Sequence, residues 1–99
     1  MQNREAERIL SLMGPHIGRL RSDFHLESLA LFGSIAKMES TSASDVDMLV
    51  EFSEPIGFLK FIELETLLSK MLNRKVDLVT RNALKPTMRA EIQRSLIYV

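Results

Sequence analysis

Apolar residues near the start of the chain recur with the period of a helix. Ala6, Ile9, Leu10, Leu12 and Met13 place a helix over residues 4–13. Gly14 and Pro15 interrupt it, and proline suits the first turn of a new helix, so residues 16–23 form a second helical segment with Ile17 and Leu20 inward. The run from Leu26 to Phe32 predicts a strand, and residues 33–37 a turn into a short helix. The Ser- and Thr-rich stretch 39–44 reads as a loop. A second strand covers residues 45–52. On it Val46, Met48, Val50 and Phe52 share one face, and Asp45, Asp47, Leu49 and Glu51 the other. After a turn at 53–55, Phe58, Phe61, Ile62, Leu64, Leu67, Leu68, Met71 and Leu72 mark an amphipathic helix over 58–72, ended by Asn73 and Arg74. Residues 75–80 form a third strand, and 84–97 a final helix with Pro86 in its first turn. The order ααβαβαβα predicts an α/β (α+β) sandwich built on three strands. Strand directions do not follow from the pattern.

Ninety-nine residues, 45% of them hydrophobic, suffice for one domain spanning 1–99 and leave no room for a second core. Basic and acidic residues balance at 13 each, which argues against general nucleic-acid binding. The absence of cysteine excludes a disulfide framework, a thiolate nucleophile and a Cys-based zinc site. No apolar stretch approaches the ~18 residues of a membrane span. The polar start, residues 1–8, is unlike a signal peptide, so a cytoplasmic protein is expected.

The chemistry concentrates between residues 29 and 50. Gly33 and Ser34 close the first apolar run; ten residues later Asp45-Val46-Asp47 opens the second. Residues i and i+2 of a strand point to one face, so the two carboxylates lie side by side. Adjacent carboxylates repel and raise each other's pKa unless a cation separates them. Mg²⁺ suits them, because it needs few protein carboxylates and completes its shell with water and phosphate oxygens. The glycine–serine turn offers free N–H groups to those phosphates. Asp77, in the strand Lys75-Val76-Asp77-Leu78-Val79-Thr80, supplies a third acid if that strand neighbours the second. Three strand-borne aspartates match the needs of two-metal phosphoryl transfer.

Each of these residues also has a plainer reading. Asp45 and Asp47 suit a turn and an exposed strand start. Gly33 suits a positive φ, Ser34 a helix cap and Ser44 a turn. Lys37 is a phosphate contact or a surface lysine. Glu51 shares the acidic face but stands about 13 Å beyond Asp47, four residues along the strand, and reads as surface. His16 and His25 lack a partner acid or serine pattern, and the methionines fill core gaps.

The Gly33-Ser34-x10-Asp45-x-Asp47 segment, the later Asp77 and the ending Leu84-Lys85-Pro86 … Ile97-Tyr98-Val99 resemble the minimal nucleotidyltransferases (MNT) of the polymerase-beta-like superfamily. The resemblance runs over almost the whole chain. Many members carry arginine then glycine where this chain has Lys37 and Met38; lysine keeps the charge but loses the bidentate fork. The resemblance implies a small mixed sheet with helices on one side and the acidic face open. It implies transfer of a nucleoside monophosphate, with ATP as donor, to an acceptor hydroxyl. Asp45, Asp47 and Asp77 would be catalytic and hold two Mg²⁺, with Gly33, Ser34, Lys37 and Ser44 around the nucleotide. MNT proteins are often paired with a HEPN-domain toxin ribonuclease, and some neutralise it by adding AMP to a tyrosine. That implies a HEPN-type partner and an antitoxin role. Two alternatives stay open: a binding module that inhibits its partner by contact, and an aminoglycoside-type transferase acting on a small molecule. Homo- or hetero-oligomerisation is equally open.

Overall fold

The computed structural model describes residues 3–39 and 44–99. Helix α1 (Arg4–Met13) is capped by Asn3, whose Oδ1 accepts the Ala6 N–H at 3.1 Å. A 3₁₀ turn, Gly14–His16, leads into α2 (Ile17–Phe24), which ends on His25 in the left-handed region. Strands β1 (Leu26–Phe32) and β2 (Val46–Phe52) follow, then α3 (Phe58–Leu72), β3 (Val76–Thr80), a 3₁₀ turn at Arg81–Ala83, α4 (Pro86–Arg94) and β4 (Ile97–Tyr98).

The sheet order is β3-β2-β1-β4. β1 runs antiparallel to both its neighbours, and α3 is the crossover that makes β2 and β3 parallel. This is the expected mixed α+β sheet with one strand added. The added strand replaces the end of the expected last helix. Ser95 closes α4 at Arg94, its N–H and Oγ both donating to the Ile92 carbonyl. The β-branched and aromatic residues that follow then pair with the open edge of β1.

One face of the sheet, with Leu29, Leu31, Val46, Met48, Val50, Val76 and Leu78, packs on α1, α2 and α3 through Ile9, Met13, Leu20, Phe24, Leu64 and Leu68. The other face is not fully open. Ile92 of α4 packs there on Phe32 and Leu49, with Val79, Leu84 and Leu96 around them. The expectation of helices on one side only is corrected accordingly: Phe32 and Leu49 are apolar positions on the acidic side, and α4 covers them.

The β3 edge is blunted by α3. The outward N–H groups of Val76 and Leu78 donate to Ser69 Oγ at 3.0 Å and Glu65 Oε2 at 2.9 Å.

Residues 33–38 are hydrogen-bonded turns rather than the expected short helix. A single helical bond, Lys37 N–H to Gly33 O, is closed at once by Glu39 N–H to Ser34 O and Met38 N–H to Ile35 O. That pair of bonds is a Schellman closure, and it forces Met38 to φ 60°, where a glycine usually stands.

Candidate active site

Asp47 sits where three strands' worth of geometry meets. Its register partner on β1 is Phe32, the residue before Gly33, and its partner on β3 is Asp77. Register partners on adjacent parallel strands share a face and lie about 4.8 Å apart. Val76 and Leu78 are buried in the core, so Asp77 faces the same side as Asp47 and is exposed. Asp45 immediately precedes β2; its Oδ2 is 3.9 Å from Lys75 Nζ, and both side chains are well exposed. The fold therefore gathers the three expected aspartates at one end of the sheet, beside the turn that begins at Gly33.

Electrostatics record the crowding. Desolvation first, then the charges of Asp77 and Asp45, hold the Asp47 carboxyl above its ordinary value. Gly33 makes room for that carboxylate. Its φ is +72°, and a Cβ added there would lie 2.3 Å from Asp47 Oδ2, so no other residue fits without moving the acid.

The remaining expected site residues are placed less uniformly. Ser34 lies in the turn, with its carbonyl used by the Glu39 N–H. Lys37 leaves the same turn, but its Nζ is 3.2 Å from Glu91 Oε1 on α4. Ser44 stands one residue before Asp45, and its carbonyl accepts from Arg74 Nη2 at 2.7 Å. Glu51 is not free surface: it pairs with Arg81 Nη2 at 2.5 Å. His25 is exposed and 3.1 Å from Glu54 Oε1, away from the aspartates.

A family model, the nucleotidyltransferase domain, matches residues 16–99. A candidate protein adenylyltransferase of Methanocaldococcus jannaschii is 41% identical, over 92% of this chain and 94% of that protein. The protein adenylyltransferase MntA of Thermococcus cleftensis is 40% identical over 94% of each chain. The chain belongs to the nucleotidyltransferase domain family, as a minimal member. The solved structure of a candidate minimal nucleotidyltransferase superposes with TM-score 0.75 at 27% identity, covering 100% of this chain and 97% of that one. An MNT antitoxin in complex with a tri-AMPylated HEPN toxin of Shewanella oneidensis shares the fold, with TM-score 0.62 at 22% identity, over 89% of this chain and 69% of that one.

In this nucleotidyltransferase, no three His, Asp or Glu side chains among the described residues are drawn to metal-ligating closeness. The donor set nonetheless suits Mg²⁺: hard carboxylate oxygens, few in number, whose mutual repulsion a cation would relieve. No helix among the described residues is long and apolar enough to cross a membrane.

The sequence pattern gave no sign of three side chains that reach the site segments: Glu91 on Lys37, Arg74 on Ser44, and Asn3 on the Ile35 carbonyl. They act across 54, 30 and 32 residues, beyond any local periodicity.

Proposed function

We propose that this nucleotidyltransferase moves AMP from ATP to a hydroxyl on a partner protein, as the antitoxin of a HEPN-type toxin–antitoxin pair. The observation that carries the transfer chemistry is the register Asp47↔Asp77 beside Gly33, with Asp45 one residue ahead of β2. The adenylate and the protein acceptor are supported by relatives at 40–41% identity named as protein adenylyltransferases. A HEPN partner and a tyrosine acceptor follow from the family resemblance; the complex of an MNT antitoxin with an AMPylated HEPN toxin supports the partner.

Asp45, Asp47 and Asp77 would hold two Mg²⁺, which when bound neutralise charge on the phosphates and lower the acceptor's pKa. The residues' own tasks are positional. The turn at Gly33 and Ser34 presents backbone N–H groups to the β- and γ-phosphates, and Lys37 adds a charge once it leaves Glu91. Ser44 borders the nucleotide. The acceptor oxygen attacks the α-phosphorus; a P–O bond forms, the bond to the β-phosphate oxygen breaks, and pyrophosphate departs with the electron pair. Asp77, exposed on β3, takes the hydroxyl proton, or would help hold the metal and leave that proton to water. A cytoplasmic setting, where ATP and Mg²⁺ are at hand, belongs to the same reading.

Co-expression with the neighbouring gene product, followed by its intact mass, tests this. One or more added adenylates, lost with Asp45→Asn/Asp47→Asn, is the expected result. A tight complex whose partner stays unmodified, inhibited equally by the double variant, would replace the proposal with contact inhibition. Transfer to a small alcohol or sugar and no complex would replace it with a small-molecule enzyme.

A further inference from the structure

Two long-range ties converge on the first turn of α1, and both end on backbone carbonyls of the site segments. Asn3 Nδ2 donates to the Ile35 carbonyl at 2.7 Å, while its Oδ1 caps the helix. Ile35 is fully buried in the middle of the turn that starts at Gly33. Two residues further along α1, Glu5 Oε2 accepts from Arg74 Nη1 at 2.7 Å. The Arg74 side chain is only 16% exposed, and its Nη2 donates to the Ser44 carbonyl, also at 2.7 Å. Arg74 stands between α3 and β3, three residues before Asp77, and the next residue's carbonyl accepts the Val46 N–H at 2.9 Å. One guanidinium thus joins α1 to the entrances of both acid-bearing strands.

We infer that the first turn of α1 is a positioning element for nucleotidyl transfer: Asn3 sets the Gly33–Ser34 turn, and Glu5, through Arg74, sets the strand entrance carrying Asp45 and Asp47. The inference rests on the reading of those segments as the nucleotide and acid segments. Nothing in the family match assigns it, since the matched residues begin at 16, after α1 has ended. The physical reason is the type of contact. A guanidinium fork shared between a carboxylate and a carbonyl fixes the distance between two segments more tightly than apolar packing does. The carbonyls it and Asn3 hold belong to the residue before Asp45 and to the second residue after Gly33. Fixing those peptide groups fixes the direction of the adjoining N–H groups and carboxylates. Displacements of an ångström in such groups change transfer rates on the order of a hundred-fold.

Three conservative variants test this. Asn3→Ser keeps a capping hydroxyl but is too short for the Ile35 carbonyl. Arg74→Lys keeps the charge but cannot hold Glu5 and Ser44 together. Glu5→Gln keeps the shape, removes the carboxylate charge, and serves if Arg74→Lys does not fold. Amide hydrogen exchange of the protein without ligand is the first readout. Asn3→Ser should speed exchange over residues 34–39, and Arg74→Lys and Glu5→Gln over residues 45–47, with the β1 and α3 amides unchanged. Steady-state transfer is the second. Asn3→Ser should raise the KM for ATP about ten-fold with kcat near the parent's, whereas Arg74→Lys should lower kcat at least ten-fold with KM little changed. Exchange that rises evenly across the fold, with kcat and KM unchanged well below the melting temperature, would overturn the inference and leave these residues as plain structural ties. Absence of transfer by the parent chain would instead overturn the proposed function, and the exchange readout would still decide this inference.

Discussion

Strand β2 turns Val46, Met48 and Val50 to α1, α2 and α3, and Asp47, Leu49 and Glu51 to the opposite side. The first three are completely buried, among side chains that interlock from three helices. On the second side only the middle of the strand is covered, where Ile92 of α4 meets Leu49 and Phe32. Its beginning carries Asp47, whose carboxyl is raised first by burial and then by the charges of Asp77 and Asp45. One seven-residue strand thus divides its labour by alternation. The apolar side supplies stability, and the acidic end stores electrostatic repulsion that a cationic ligand can release.

Substitutions on the two sides should therefore differ in kind. The largest effect on stability belongs to the helical side. Leu68→Ala, at a fully buried position, should lower stability by about 2–5 kcal/mol in urea unfolding. A loss under ~1 kcal/mol would mean that this side is not the principal core. Gly33→Ala comes next. A residue with a Cβ at φ +72° costs about 1–2 kcal/mol, and that Cβ would displace the Asp47 carboxylate. Transfer should fall far more than chemical denaturation records; equal activity with the alanine would show that Asp47 need not stay where it is. Met38→Gly works in the opposite direction. It puts glycine at the left-handed closure of the turn and should raise stability by about 1 kcal/mol, read as a higher melting temperature.

Acid titration should show the smallest effect. The folded value of Asp47 lies above 3.8, its ordinary value, so its carboxylate costs stability at every pH above that folded value. The cost disappears as pH falls through the folded value, and below 3.8 the group contributes nothing either way. The stability advantage of Asp47→Asn should therefore be full at neutral pH and vanish in acid. An advantage that grows in acid has the wrong sign for this arrangement.

Much of this contrast was legible in the sequence because alternation within β2 is a local property. The faces of Val46 and Asp47, the glycine at 33 and the helix over 58–72 all follow from spacing within a few residues. The register that sets Asp47 against Asp77 needed the α3 crossover, and the family resemblance, rather than periodicity, implied a mixed sheet. The last strand is hidden in the pattern because Ile97 continues the apolar spacing of the final helix as readily as it starts a strand. The free edge of β1, a tertiary feature, decides between the two. The placement of α4 over Leu49, the Lys37–Glu91 pair and the Arg74 tie depend on chain returning from far away. The Schellman closure at Met38 was hidden for another reason: methionine stands where the conformation favours glycine.

The central claim is that nucleotide and Mg²⁺ bind against the acidic end of the sheet. Thermal melts of the parent and Asp47→Asn, each with and without Mg²⁺ and ATP, test it most directly. The parent should gain about 2.7 kcal/mol at ligand concentrations a hundred-fold above the dissociation constant. The variant should start as high as the parent or higher, having lost a repulsive charge, and gain almost nothing from the ligands. A variant that melts below the parent without ligand, yet rises as far with Mg²⁺ and ATP, would contradict the account.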